Sequence, residues 1–300
     1  MPEISVIIPC YNCEDTILHT VHSVQAQSFS DFECILVDDC STDQTWDILQ
    51  SITDERFKNV RHDMNKGAAG ARNTAIRLAK GRYIALLDSD DVWHVQKLKT
   101  QHFFMEKNPT FPASCTSFNI YRDPVRAIPR LLKPKKNWLK EMLTVCNVSP
   151  GSTLMAQRNL FSAGSVGLFP EDMRRFEDWQ WLIEYCYHFD LGIVEDILSD
   201  VRLTGYARYE NIVVSSNLLY KKQSTKIKNR LGTFPALYFK ASLEYEKAFA
   251  AYHENKKLTA LMHSLKIFII SPLRFFRAIE RILKKVMSRD YSREKVKAYK

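Results

Sequence analysis

Over its first 110 residues the chain alternates short, wholly apolar runs with stretches whose apolar positions recur at helical spacing. Ile4-Ser5-Val6-Ile7-Ile8 is β-branched and stops at Pro9, the pattern of a buried strand. Ile17, Leu18, Val21 and Val24 repeat at three- and four-residue intervals after Glu14-Asp15, read as an acidic first-turn pair, which predicts a helix. Cys34-Ile35-Leu36-Val37 predicts a second buried strand, and Thr42 or Asp43 caps a helix bearing Trp46, Leu49 and Ile52. A weak edge strand near Val60 leads into Asn65-Lys66-Gly67-Ala68-Ala69-Gly70. A helix over 71–80 should end with Gly81 as its left-handed terminator. Residues 83–87 make the third strong strand, followed at once by Asp88-Ser89-Asp90-Asp91.

Strands alternating with helices imply βαβ units and a mostly parallel sheet flanked by helices on both faces. Ligands of such sheets bind beyond the carboxyl ends of the strands. Those ends are 9–14, 38–39 and 88–91, so they should converge on one edge, and two of them deliver carboxylates. The middle, 111–205, is less regular, with strands expected near 113–116, 153–156 and 193–196. One helix there is clear: Trp179, Leu182, Ile183, Cys186 and Phe189 form an apolar face opened by Glu177-Asp178. Beyond about 215 the chain turns helical, with stretches near 235–254, 257–270 and 273–288. The expected organisation is a catalytic domain over 1–210 and a basic helical region over 211–300.

Charge sharpens that division. The net +9 of the 300 residues is uneven: 215–300 carries 20 Lys/Arg against 6 Asp/Glu, while 1–214 is net acidic. A basic tail with Phe268, Ile269, Phe275, Phe276, Ile279, Ile282 and Leu283 beside Lys266, Arg274, Arg277, Arg281, Lys284 and Lys285 suits an anionic membrane surface. A helical subdomain with a solvated basic face is the alternative. No nucleic-acid fold signature accompanies the charge, so nucleic acid is not an expected partner. Seven cysteines without a disulfide-framework spacing, and no signal peptide, make the cytoplasm the expected compartment, with a peripheral position on the membrane's cytoplasmic face. The longest apolar region, 258–276, is broken by His263, Lys266, Pro272 and Arg274 and is not expected to cross a bilayer.

The candidate chemistry begins at Asp88-Ser89-Asp90-Asp91. Three carboxylates in four residues repel one another unless a cation sits among them, and Mg²⁺ takes carboxylates together with substrate phosphates. A solvated acidic turn is the competing explanation. Asp38-Asp39 ends the neighbouring strand, and the loop before Arg72 offers backbone N–H groups and a cation to phosphate. Cys10-Tyr11-Asn12-Cys13 has a redox spacing, but no second pair completes a zinc site. His94 and His188 show no metal-ligand spacing and read as structural.

Five stretches, SVIIPCYN (5–12), ILVDDCSTDQT (35–45), NKGAAGARN (65–73), GRYIALLDSDD (81–91) and FEDW (176–179), together resemble the family 2 glycosyltransferases in order and spacing. That resemblance implies the GT-A (Rossmann-like) fold and an inverting enzyme of hexosyltransferase type, working with Mg²⁺ or Mn²⁺. It would move a sugar from a nucleotide-sugar donor, expected to be a UDP-sugar, to a saccharide or lipid-linked saccharide acceptor in surface polysaccharide biosynthesis. It assigns Pro9, Tyr11 and Glu14 to the nucleotide base, Asp39 to the uracil ring and Arg72 to the nucleotide. Asp88 and Asp90 become the DxD pair, the first toward the ribose and the second, ahead of Asp91, toward the metal. Asp178 becomes the general base. The QxxRW motif of processive members is absent, which argues against a long homopolymer. A sugar-phosphate nucleotidyltransferase would need a Gly-rich signature after the first strand, where Pro9-Cys10-Tyr11-Asn12 stands. A catalytically inactive nucleotide-sugar-binding or scaffold protein is opposed by the intact carboxylates at 39, 88, 90 and 178.

Overall fold

The first apolar run forms a central strand because Ile4, Val6, Ile7 and Ile8 are all excluded from water, so both faces of the strand must be covered. The structure, a computed structural model, describes residues 1–121, 127–203, 207–277 and 279–280. Two units divide the chain, 1–205 and 206–300.

In the first unit β1 (Ile4–Cys10), α1 (Ile17–Gln25), β2 (Phe32–Asp38), α2 (Thr45–Gln50), β3 (Phe57–Arg61), α3 (Gly67–Leu78) and β4 (Tyr83–Leu86) follow in alternation. These four strands lie parallel in the order β3-β2-β1-β4. Register sets Cys10 beside Asp38 and Ile7 beside Leu86, so the carboxyl ends do meet along one edge. Ile17, Val21 and Val24 of α1 close over β1 in a core shared with Cys34, Leu36, Tyr83 and Ala85.

The second half of the sheet is mixed. It uses β5 (Val92–Trp93), α4 (Lys97–Lys107), β6 (Ala113–Tyr121), β7 (Ala127–Arg130), α5 (Trp138–Met142), α6 (Pro150–Thr153), β8 (Met155–Gln157), α7 (Glu177–Cys186) and β9 (Gly192–Arg202). β8 runs antiparallel to β4 and β6, β9 parallel to β6, and β5 antiparallel to β9; β7 pairs the outer part of β6.

Two local expectations are corrected. α3 starts at Gly67 and ends at Leu78, and Gly81 does not terminate it. Gly81 instead lies where an added Cβ would be 2.5 Å from the Ser5 nitrogen, so its need is close approach to β1. Glu14 and Asp15 precede the first turn of α1 rather than forming it.

One buried group works against stability. Lys97 is 0 % exposed, its Nζ lies 3.7 Å over the Trp93 ring, and no protein acceptor reaches it among the described residues. Burial pushes its pKa well below the usual lysine value, against a small opposing pull from Cys115. The unfolded chain therefore binds the extra proton, and this residue costs stability at neutral pH, a cost that shrinks as pH rises toward the free-lysine range. Lys97→Met should stabilise the fold by roughly 1–3 kcal/mol, readable as a higher urea midpoint at pH 7. An unchanged or lower midpoint would contradict it.

The second unit holds α8 (Tyr209–Leu231), α9 (Thr233–His253) and α10 (Lys257–Ile270). α8 has no counterpart among the separate stretches expected from periodicity, because its inward face interrupts Ile212, Leu219 and Ile227 with Ser215, Ser216 and Gln223. Of the stretch expected at 273–288, residues 281–288 lie outside the described part, with Ile282, Leu283, Arg281, Lys284 and Lys285 among them. No helix among the described residues is long and apolar enough to cross a membrane.

Candidate active site

The loops beyond β1 and β2 are joined to each other before either meets a ligand. Asn12, at φ 46°, accepts the Thr42 N–H on its Oδ1 and donates its own N–H to the Ser41 hydroxyl. Glu14 accepts the Gln44 N–H at 2.8 Å, and Asp43 accepts the N–H groups of Glu14 and Thr45. Glu14 thus ties the first loop to the start of α2, Pro9 is half-buried, and Tyr11 stands 50 % exposed above them.

Asp39, only 2 % exposed, faces the start of α3. Its Oδ1 accepts Lys66 N–H at 2.8 Å and meets His62 Nδ1 at 2.8 Å, while Oδ2 accepts Gly67 N–H at 2.7 Å. A carboxylate at a helix N-terminus is favoured by the aligned peptide dipoles. Three of about four acceptor positions on this carboxylate are thus taken by protein groups. Gly67 is required here by its backbone, whose φ of +79° lies in the left-handed region that favours glycine.

α3 carries the next link. From Gly67 to Arg72 is about 7.5 Å of helix rise, and Arg72 is buried with Nη2 2.6 Å from Asp88 Oδ1 and Nη1 2.7 Å from Glu177 Oε1. Burial opposes its charge, but Asp88, Glu177 and Asp178 outweigh that, so its guanidinium is held more firmly protonated than usual. One arginine therefore joins three sequence motifs: the Gly-containing loop, the acidic tip after β4 and the acidic start of α7.

The acidic tip is clamped from several sides. Thr16, just before α1, and Thr20 within it both donate to the Ser89 carbonyl, at 2.9 and 3.0 Å, and Thr20 also to the Asp91 carbonyl at 2.8 Å. Asp91 is buried; one carboxylate oxygen accepts the Ser152 hydroxyl and the other accepts Arg202 N–H at 2.7 Å. Burial, with Asp88 and Asp90 beside it, raises its pKa well above the carboxylate range. Both its oxygens act within the protein, whereas Asp88 and Asp90 beside it are half-buried.

α6 shapes the opposing wall. Ser152 Oγ accepts the Asp88 N–H, and the Ser152 carbonyl accepts Trp93 Nε1 at 2.8 Å. At Gly151 an added Cβ would fall 2.2 Å from Asp88 Oδ2. Gly151→Ala must displace that carboxylate, and misplacement of about 1 Å costs on the order of 10²-fold in rate. We expect turnover to fall by one to two orders of magnitude with the melting temperature little changed. Full activity in the alanine variant would show that Asp88 has slack.

Asp178 follows Glu177 directly in the first turn of α7, half-buried and with Oδ1 accepting the Trp179 N–H at 2.7 Å. Two indoles fix that helix: Trp179 Nε1 donates to the Met142 carbonyl and Trp181 Nε1 to Gly167, both near 2.7–2.8 Å. Phe176, just before it, holds the left-handed φ of 67°, a strained position for an aromatic residue. Burial, then the neighbouring Glu177, pushes the Asp178 carboxyl up to about 6 despite the opposing pull of Arg72.

Thr16, Thr20, His62, Gly151 and Ser152 escape sequence reasoning: none belongs to a spacing pattern of its own, and each acts on a distant loop. Cys10 and Cys13 are free thiols in the core, so their observed part is packing. The other grouping of acids and histidine, Glu3, His102 and Glu106, lies near the amino ends of β1 and β4, where Arg82 pairs with both carboxylates.

A four-strand parallel half, an antiparallel mixed half and an acidic tip beyond β4 together define a GT-A glycosyltransferase fold. Solved structures agree. Staphylococcus aureus TarS 1–349 in complex with UDP-GlcNAc superposes with a TM-score of 0.67 at 20% identity, over 92% of this chain and 83% of that one. A mannosyltransferase from Pyrobaculum calidifontis in complex with GDP-Man and Mn²⁺ gives a TM-score of 0.60 at 18% identity, over 95% and 81%. Residues 5–160 match glycosyl transferase family 2, and the chain belongs to that family. Among curated relatives, the Escherichia coli UDP-Glc:alpha-D-GlcNAc-diphosphoundecaprenol beta-1,3-glucosyltransferase WfaP is 43% identical over 155 residues, 52% of this chain and 61% of that protein. The Bacillus subtilis putative teichuronic acid biosynthesis glycosyltransferase TuaG is 53% identical over 113 residues, 37% and 45% of the two. The chain thus spans less than two thirds of the length of these relatives.

Proposed function

We propose that this protein is an inverting hexosyltransferase that takes a sugar from a UDP-sugar and delivers it to a saccharide or lipid-linked saccharide acceptor during surface polysaccharide assembly. The observation that carries this reading is Arg72, which brings the tip at Asp88 to the helix start at Asp178 through Glu177. Donor-holding and acceptor-activating groups are thereby set side by side.

In this reading Tyr11, Pro9 and the loop braced by Glu14 flank the base, and Asp39 offers its remaining acceptor position to the uracil edge. Asp178 removes the proton of the acceptor hydroxyl as that oxygen attacks the anomeric carbon from the face opposite the diphosphate. The bond from anomeric carbon to diphosphate oxygen breaks, and the configuration inverts. Asp88 and Asp90 supply hard oxygen ligands, and the space beside Asp88 Oδ2 exists only because Gly151 has no side chain, so the donor set fits Mg²⁺ or Mn²⁺. A cation there would contribute positive charge to the departing diphosphate. Raising Asp178 to about 6 suits a general base, ionised at neutral pH yet basic enough to take a proton.

The acceptor class is supported by the E. coli relative, whose own acceptor is a diphosphoundecaprenol-linked sugar. A peripheral position on an anionic membrane surface is supported by the basic charge beyond residue 215. A panel of nucleotide sugars with Mn²⁺, read by thermal stabilisation, tests the donor. We expect a UDP-sugar to raise the melting temperature and to lose that effect on adding EDTA. Stabilisation by no nucleotide sugar would overturn the reading.

A further inference from the structure

Within the C-terminal unit, α10 packs inward through Ala260, His263 and Ile267, and its rotation is fixed by a buried polar relay. His263 Nδ1 lies 2.7 Å from Glu244, which also pairs with Lys247, and His263 Nε2 lies 2.8 Å from the Tyr209 hydroxyl. A helix pinned so firmly on one side presents a fixed surface on the other.

That other surface is apolar. Leu258, Leu261, Met262, Leu265, Phe268 and Ile269 are all exposed, between 44 and 78 %. At about 100° per residue the six fall within roughly 120° of arc, diametrically opposite the packed face. Lys257 and Lys266 stand on the two margins, and the helix contains no acidic residue. Phe276 continues the strip, with its ring centroid 6.3 Å from that of Phe268. A stripe this wide, open to water, is uncommon on a solitary soluble surface and marks a contact site.

We infer that this outward face of α10 seats in an anionic lipid surface, its aliphatic side chains entering the headgroup–acyl boundary while Lys257 and Lys266 meet lipid phosphates. Charge selects this occupant. Pairing two copies through the face would bring together two regions each carrying 20 Lys/Arg against 6 Asp/Glu, and would align their lysine margins. An anionic leaflet answers both the apolar strip and its basic rim. This deepens the membrane contact proposed above by naming the surface that makes it, and it is independent of the transfer chemistry.

The test uses the full chain with vesicles of 30 % phosphatidylglycerol in phosphatidylcholine, beside pure phosphatidylcholine. Flotation should recover the protein with the anionic vesicles, and the triple variant Leu261→Glu, Leu265→Glu, Ile269→Glu should lower the bound fraction at least tenfold. Because all three positions are exposed, UDP-sugar stabilisation of that variant should match the parent, which separates loss of docking from loss of the donor site. Leu265→Trp should shift its emission to the blue on adding anionic vesicles, a sign of insertion that electrostatic tethering alone would not produce. Undiminished binding by the triple variant, an unshifted tryptophan, or a dimer in solution that the glutamates dissociate without any vesicle binding would each overturn the assignment. Failure of UDP-sugars to bind the parent protein, with flotation intact, would sink the donor reading and leave this one standing.

Discussion

Replacing Asp178 by Asn is expected to lower turnover at least ~10²-fold while leaving donor affinity within about twofold. The amide has nearly the shape of the carboxylate, so the helix start and its hydrogen bond to Trp179 N–H survive, but it cannot accept the acceptor's proton. In the parent enzyme the group titrates near 6, so kcat should rise as pH increases through that value and level off above it. The asparagine variant should lack this acid limb. Stability should move the opposite way. A carboxyl whose folded value is raised binds its proton more tightly in the native state, so ionising it at neutral pH costs up to about 3 kcal/mol, and Asp178→Asn should raise the melting temperature at pH 7. Steady-state kinetics across pH 5–8, paired with thermal scans, decide the matter. An acid limb that persists in the asparagine variant would assign the proton transfer to another group.

Asp90→Ala is expected to abolish metal-dependent stabilisation by the donor and to reduce turnover to background. Asp91 cannot substitute, because its oxygens already hold Ser152 and the Arg202 N–H, and moving it would release the clamp on the whole tip. Asp88 is held by Arg72 through Oδ1 and retains only Oδ2 for other ligands. Donor titration with and without Mn²⁺, by calorimetry, separates the cases. If the alanine variant binds a UDP-sugar with undiminished metal dependence, Asp90 is not a ligand. The contrast between the two substitutions carries the division of labour: one should silence chemistry and spare binding, the other should remove binding itself.

How much of this could be read along the chain depended on whether the signal was local. Strands β1, β2 and β4 are buried on both faces, so their apolar runs stand out without any partner in view. Acidic tips after such strands are equally visible. α8 is less legible by the same measure, since its inward face mixes Ile212, Leu219 and Ile227 with two serines and a glutamine, which breaks the apolar period. Gly81 was read as a helix terminator because glycine commonly serves so, but the backbone of β1, some 76 positions away, is what excludes a side chain there.

The sequence by itself determined the alternating strands and helices, the edge at which their carboxyl ends gather, the acids that stand on it and the basic charge of the last third. Those features follow from side-chain hydrophobicity, period and charge, which act residue by residue. Only the tertiary structure decided that Asp91 braces the tip through Ser152 and the Arg202 N–H, and that Arg72 joins Asp88 to Glu177. It also raised Asp178 toward neutral pH and turned an apolar face of α10 outward. These depend on burial and on contacts between groups as much as 111 residues apart, and a carboxylate's pKa or a helix's orientation is set by what surrounds it.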